Sequence, residues 1–258
     1  MKIRISLLFI CLSLSFMLVL PAYSFEEKTL NNLGISKKMK ADWIMPDGKG
    51  PYPALLILHT SGGVQTADID FARKLAGRGF ACLIPYYFAA YGIKHGSRQE
   101  ATTTYAEAIF NDLVNELEYL KQDSRIDKNR LGAVGFSMGG YWTAVLAAKG
   151  KVQAGVSYYG AYSGAGAREK MTYQFREIID GHSSPLLIMH GENDQTVPVK
   201  TAQNLDTILT EQKIPHELKI YPSVDHGYDR SESKADPMAA SDSWERTLKF
   251  LDKYLHAR

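Results

Sequence analysis

Short apolar runs alternate with longer amphipathic segments along most of this 258-residue chain. Several of the runs are apolar over their whole length, as parallel strands covered on both faces must be. The longer segments repeat apolar residues at helical spacing, for example Ile109, Leu113 and Leu117. Strand and helix in alternation predict an α/β fold in which a mostly parallel sheet is wrapped by helices on both faces.

The boundaries follow from these patterns. Strands are predicted at residues 54–59, 80–86, 130–136, 153–159, 185–190 and 216–222, with an earlier, more exposed strand near 37–46. Helices are predicted within residues 67–79, 105–123, 138–150, 200–212 and 242–255. No internal repeat or linker divides the sequence, so residues 25–258 are expected to form a single domain.

The N-terminus has the layout of a secretory signal peptide. Lys2 and Arg4 precede an apolar stretch over residues 5–20, and the small-residue step Ala22-Tyr23-Ser24 follows. Cleavage after Ser24 would remove residues 1–24 and deliver the protein to the periplasm or the medium, with no stable membrane contact. The alternative is an uncleaved membrane anchor, because the apolar stretch approaches the ~20 residues that span a bilayer.

Charge and cysteine content exclude several classes of protein. Without residues 1–24, which hold two basic and no acidic side chains, positive and negative residues balance at 28 each, and no basic cluster stands out. Nucleic acid is therefore not expected as a partner. Cys82 would be the one remaining cysteine, in an apolar run that predicts a buried thiol. No disulfide, metal site or cofactor is implied, and nothing in the sequence fixes the oligomeric state.

The segment "VGFSMGGYW" places Ser137 between a predicted strand and a predicted helix. A sharp turn there lifts the central hydroxyl clear of the sheet, and Gly135 and Gly139 let strand and helix close together. The helix N-terminus directs free amides and its positive dipole end at the same place. The pattern favours a nucleophilic serine; the alternative is an ordinary small-residue turn.

A serine nucleophile needs a histidine base oriented by a carboxylate. Asp194 follows the strand at 185–190, and His226 follows the strand at 216–222. The order Ser137, Asp194, His226 is that of α/β hydrolases. Asp194 could instead cap the next helix, and Glu192 is a substitute acid. Asp225 directly precedes His226 and is expected to point elsewhere, and His190 is interpreted as structural.

An oxyanion intermediate would need two amide donors. The first is expected from Met138, the residue after the nucleophile. The second is expected from the loop "TSGGVQ" after the strand at 54–59, with Ser61 as the main candidate and Thr60 as the runner-up. His59 is expected to brace this loop by hydrogen bonding.

With these residues in place, the chain resembles the dienelactone hydrolase family of the α/β-hydrolase superfamily over roughly residues 40 to 255. The resemblance depends on "GFSMGG", "SYYGAY", "IMHGENDQTVP" and "DHGYDR", with "ERTLKFL" in the last helix. It implies hydrolysis through a nucleophile, an acid and a histidine. Two positions depart from the family at the nucleophile and its neighbour: Ser137 stands where its name-giving enzymes have cysteine, and Thr60 stands where they have a glutamate that interacts with that thiol.

The resemblance also implies that Arg230 is one of two arginines that bind a substrate carboxylate. The second falls near Ala90, where no arginine stands, and the alternative for Arg230 is an ion pair with Asp229, Glu232 or Asp236. Tyr87 and Tyr159 are predicted to line an apolar pocket, together with other aromatic residues on loops at the same sheet edge, or to be structural: Tyr86, Phe88, Tyr91 and Tyr162.

The sequence therefore predicts an exported serine hydrolase that cleaves small carboxylic esters through an acyl-enzyme and requires no cofactor. A peptidase or amidase with the same three residues is the alternative within enzymes. A non-catalytic carrier of hydrophobic ligands is the alternative outside them.

Overall fold

The computed structural model describes residues 25–35, 37–162, 171–230 and 235–256. Over these residues the chain forms one sheet of eight strands flanked by helices. The strands are β1 (Phe25–Leu33), β2 (Met39–Pro46), β3 (Tyr52–Leu58), β4 (Ala81–Pro85), β5 (Ile126–Phe136), β6 (Ala154–Tyr158), β7 (Leu186–Gly191) and β8 (His216–Tyr221). The α-helices are α1 (Thr66–Ala76), α2 (Arg98–Thr102), α3 (Ala106–Leu120), α4 (Met138–Ala148), α5 (Phe175–Ile178), α6 (Lys200–Glu211) and α7 (Pro237–Leu251).

The sheet has the order β1-β2-β4-β3-β5-β6-β7-β8. Strands β3 to β8 run parallel, whereas β2 is antiparallel to both β4 and β1. The predicted mostly parallel sheet is confirmed. Because β3, β5, β7 and β8 run in the same direction, the loops that follow them lie along one edge of the sheet.

The core lies on both faces of this sheet. Within β3, Leu56 and Leu58 belong to one apolar cluster and Leu55 and Ile57 to another, since successive side chains point to opposite faces. Helices α3, α4 and α6 contribute to the first cluster, and α1 and α7 contribute to the second. Burying each large apolar side chain contributes about 1.5–3 kcal/mol, so the two layers hold the strands in register. The predicted helices on both faces are confirmed.

The first two strands differ from the sequence expectation. The segment near residues 37–46 was expected to be the more exposed strand, yet Met39, Ala41, Trp43 and Ile44 of β2 are at most 2% exposed. The reason is that β1, a polar segment with no strand signature of its own, pairs along β2 and turns it into an interior strand. The buried thiol of Cys82 in β4 is as expected.

The predicted signal peptide, residues 1–24, lies outside the described residues. Within the part of the chain that the structure does describe, no helix is long and apolar enough to cross a membrane.

Candidate active site

Ser137 occupies the tip of the turn between β5 and α4 with a backbone that few residues other than glycine adopt, φ 54° and ψ −109°. Its amide donates to the Tyr158 carbonyl at 2.9 Å, and its carbonyl accepts from the Tyr141 amide at 3.1 Å. The turn lifts Ser137 clear of the sheet as predicted from the sequence, but the residue is still buried, with only 4% of its surface exposed. The strained turn is therefore held by its neighbours on both sides.

Two glycines make this turn possible. A Cβ on Gly135 would lie 2.1 Å from the Gly139 carbonyl oxygen, and a Cβ on Gly139 would lie 1.9 Å from the Leu58 carbonyl oxygen. Any side chain at either place would collide with backbone. The close approach of Gly139 to the end of β3 also brings the Ser137 turn next to the loop that follows β3.

The loops after β5, β7 and β8 bring together the three residues proposed from the sequence. His226 Nε2 lies 3.0 Å from Ser137 Oγ, and His226 Nδ1 lies 2.7 Å from Asp194 Oδ2. A carboxylate can only accept, so Nδ1 carries a proton; in the neutral form of the ring, Nε2 is then the acceptor that faces the serine hydroxyl. This arrangement is able to withdraw a proton from Ser137.

Asp194 is held by more donors than His226 alone. Its Oδ1 accepts from the amides of Thr196 and Val197 at 2.8 and 2.7 Å. Its Oδ2 also lies 3.1 Å from Nε2 of His190, a fully buried side chain at the end of β7. Burial raises the pKa of Asp194, but the hydrogen bonds from His190 and His226 lower it further, and the pKa falls well below the usual range. Asp194 is therefore a permanent anion at ordinary pH.

Glu192 and Asp225, the other carboxylates near His226, connect the loop after β7 with the loop after β8. Glu192 Oε2 accepts from the Ser223 amide at 3.2 Å. Asp225 Oδ1 accepts from the amides of Gln195 and His226 at 3.0 and 2.6 Å. Both carboxylates thus accept from backbone amides where these two loops meet. Asp194 is the carboxylate that hydrogen-bonds to the His226 imidazole.

The role of Met138 and Ser61 as oxyanion donors stays a prediction, for which the structure describes the local surroundings. Met138 is the first residue of α4, so its amide precedes the first bond within the helix. Ser61 lies in a tight turn after β3, closed by a 3.2 Å hydrogen bond from the Gly63 amide to the Thr60 carbonyl. The Ser61 carbonyl accepts from the Gly96 amide at 2.8 Å, which fixes the orientation of this loop.

His59 braces the same loop, as the sequence led us to expect. Its Nδ1 donates to the Thr60 carbonyl at 2.6 Å, and its ring stacks on Tyr87 with centroids 3.9 Å apart. Burial lowers the pKa of His59 to about 4, so the ring is neutral at ordinary pH. Sequence reasoning thus identified the brace but not its aromatic partner.

The three predicted substrate contacts need correction. Tyr87 is fully buried and donates to the His59 carbonyl at 2.6 Å, so it supports the loop instead of lining a pocket. Tyr159 is also fully buried, and its hydroxyl donates to Asp229 at 2.5 Å. The Arg230 side chain is 8% exposed and pairs with Asp68 at 2.6 Å and Asp229 at 3.3 Å. All three have protein partners in place of a substrate.

In the described segments, no group of three or more His, Cys, Asp or Glu side chains is arranged to hold a metal ion.

A mostly parallel sheet wrapped by helices, with these loops at one edge, defines an α/β hydrolase. The chain belongs to the dienelactone hydrolase family, whose family model matches residues 39–255. It is 24% identical over 210 residues to a carboxymethylenebutenolidase from Rhodococcus opacus, covering 80% of this chain and 83% of that protein. The protein is therefore a hydrolase of this family.

Solved structures share the fold. An α/β hydrolase from a Medee basin deep-sea metagenome library superposes with a TM-score of 0.75 at 17% identity, over 90% of this chain and 99% of the other. A dienelactone hydrolase-like promiscuous phosphotriesterase from metagenomic libraries superposes with a TM-score of 0.71 at 19% identity, over 90% and 98% of the two chains.

Proposed function

We propose that this hydrolase is an exported serine esterase that cleaves small carboxylic esters. The observation that carries the proposal is the continuous chain of hydrogen bonds from Ser137 through His226 to Asp194, built on a strained turn. Strain of this kind costs about 1–3 kcal/mol and persists where the surrounding structure enforces it, which is typical of functional sites.

In the proposed reaction, Ser137 Oγ attacks the ester carbonyl carbon while His226 Nε2 takes its proton. The tetrahedral oxyanion is held by the Met138 amide and by an amide of the Ser61 loop. The carbon–oxygen bond of the ester then breaks, His226 returns the proton to the departing alkoxide, and an alcohol leaves. Water repeats the sequence on the acyl-enzyme, which releases the acid and restores Ser137.

Labelling with a fluorophosphonate tests the nucleophile directly. The wild type should gain the mass of one probe on the peptide that contains Ser137 and lose ester turnover in parallel. Ser241→Ala, a change of an exposed serine on α7, is the matched control and should label normally. Absence of labelling in an otherwise folded wild type would favour the non-catalytic carrier.

A substrate panel tests the class of reaction. We expect p-nitrophenyl esters of short acids to be cleaved with a much higher kcat/KM than peptide p-nitroanilides. The reverse order would identify a peptidase that uses the same three residues.

Export is part of the proposal and is supported by the sequence of residues 1–24. N-terminal sequencing of the protein recovered from a fractionated bacterial host should give Phe25 as the first residue, in the soluble exported fraction. A full-length chain in the membrane fraction would instead support the uncleaved anchor.

A further inference from the structure

The guanidinium of Arg230 is the meeting point of three separate parts of the chain. Its Nη1 donates to Asp68 Oδ1 at 2.6 Å, and its Nε donates to Asp229 Oδ2 at 3.3 Å. Its central carbon lies 3.4 Å from the centroid of the Phe136 ring, so the planar group stacks on that ring. A planar cation with several fixed donors suits this combination of pairing and stacking, and a lysine ammonium does not.

Each partner of Arg230 lies next to a different part of the candidate active site. Asp68 is fully buried, and its second oxygen accepts from the Gln65 amide at 2.9 Å, where α1 begins directly after the Ser61 loop. Phe136 is the last residue of β5 and immediately precedes Ser137.

Asp229 leads to the histidine. Its Oδ1 accepts from the Tyr159 hydroxyl, and the Tyr159 ring contacts the His226 ring with centroids 4.6 Å apart. The His226 imidazole therefore packs against Tyr159. The Tyr159 hydroxyl is in turn held by Asp229, one of the two carboxylates that pair with Arg230.

The guanidinium of Arg230 already has carboxylate partners within the protein. Asp68 and Asp229 both pair with it, and its side chain is only 8% exposed. A third carboxylate would add like charge in a site of low dielectric constant, which is strongly unfavourable.

We propose that Arg230 is a positioning residue that fixes the oxyanion loop, the Ser137 turn and His226 relative to one another, and that the esterase consequently does not select for substrates with a carboxylate. This inference rests on the proposed esterase function and assigns to Arg230 a role that acts only through its neighbours.

The test compares two p-nitrophenyl esters of equal size, one neutral and one with a terminal carboxylate, in wild type, Arg230→Lys and Asp68→Asn. We expect Arg230→Lys to lower kcat by about 10- to 100-fold on both esters with little change in KM, because misplacing a catalytic group by ~1 Å costs about this much. The rate of fluorophosphonate inactivation should fall by a similar factor. Asp68→Asn keeps a neutral acceptor and should show a smaller loss in the same direction.

Arg246→Lys is the matched control, because Arg246 also pairs with an aspartate at 2.6 Å but lies half-exposed on α7. Its kinetic constants should equal those of the wild type. Circular dichroism and melting temperature show whether each variant folds, and Asp68→Asn tests the same bridge if Arg230→Lys does not fold.

Two results would overturn the proposal while leaving the esterase intact. A loss confined to the charged ester would make Arg230 a substrate ligand. An unchanged kcat with a lowered melting temperature would make the bridge merely structural. A folded wild type that neither hydrolyses the esters nor reacts with the fluorophosphonate would overturn the esterase function, and this inference with it.

Discussion

His190 Nε2 lies 3.1 Å from Asp194 Oδ2, the same oxygen that accepts from the imidazole of His226. His190 also lies 2.9 Å from the Val197 carbonyl, so two acceptors fix the orientation of its ring and place a proton on Nε2. The Asp194 carboxylate is therefore held by the imidazole of His190 in addition to that of His226. Donors of this kind orient a charged group and stabilise its ionised form.

We predict that His190→Gln lowers kcat on neutral esters about tenfold with little effect on KM. The reason is that the carboxylate would lose one fixed donor and gain rotational freedom, while His226 and Ser137 stay in place. His182→Gln makes the same chemical change at an exposed histidine and should leave both constants unaltered. Equal kcat values in both variants and the wild type would show that the hydrogen bond from His190 to Asp194 does not contribute to turnover.

Asp194→Asn should lower kcat by about 10⁴, because an amide in this position favours the wrong tautomer of His226. Steady-state kinetics on a p-nitrophenyl ester measures this directly. Glu192→Gln and Asp225→Asn should lose far less, since these carboxylates accept from backbone amides at the junction of the two loops. A loss at Glu192 larger than that at Asp194 would transfer the role of the acid to Glu192.

Ser137→Ala should abolish ester hydrolysis, and Ser137→Gly should do the same with a different effect on stability. At φ 54° and ψ −109° the backbone of any residue with a Cβ is strained, and glycine relieves this strain. The free energy of unfolding of the glycine variant is therefore expected to be roughly 1–2 kcal/mol higher than that of the alanine variant. Denaturant unfolding of the pair measures the strain without reference to activity. Equal stabilities would mean that the turn relaxes around alanine, and residual turnover in either variant would contradict the serine mechanism.

Glu116 predicts a pH dependence of stability that is independent of the active site. Burial and the neighbouring Asp112 raise the pKa of Glu116 from 4.5 to about 7 in the folded protein. The folded state therefore keeps a proton that the unfolded state releases between about pH 4.5 and 7, so the free energy of unfolding falls as pH rises through this range.

Glu116→Gln should remove this fall, because glutamine resembles the protonated acid at every pH. The variant and the wild type should melt together near pH 5, and at pH 8 the variant should be more stable by about 1–3 kcal/mol. Glu118→Gln, at a side chain that is 55% exposed on the same helix, is the control and should produce no such divergence. Parallel curves for Glu116→Gln and wild type would rule out the buried proton.

The sequence was sufficient to predict strands β2 to β8, the five longer helices α1, α3, α4, α6 and α7, and the three residues Ser137, Asp194 and His226 that lie together in the structure. These features depend on local pattern and on the rule that parallel strands end at one edge, and both can be deduced from residue order alone. The partners of Arg230 could not be found in this way, because Asp68 lies 162 positions away and its pairing depends on how α1 packs.

His190 shows the same limit on a smaller scale. Its place at the end of an apolar strand indicated a buried side chain, but the direction of its ring depends on the loop that follows. The four-residue spacing to Asp194 would have been a signal, had the loop been known to fold back over the strand end. Strand β1 was missed because its polar residues lie on an exposed edge, where burial leaves no periodic trace.

The turn at Ser137 also has an evolutionary consequence. Its backbone is held through the amide and carbonyl of residue 137 and through the two close glycine contacts, none of which involves the side-chain oxygen. A single-nucleotide change converts a serine codon into the cysteine codon that the family resemblance associates with this position. These contacts do not distinguish oxygen from sulfur at the side chain of residue 137, so the shape of the turn alone does not determine which of the two residues occupies it.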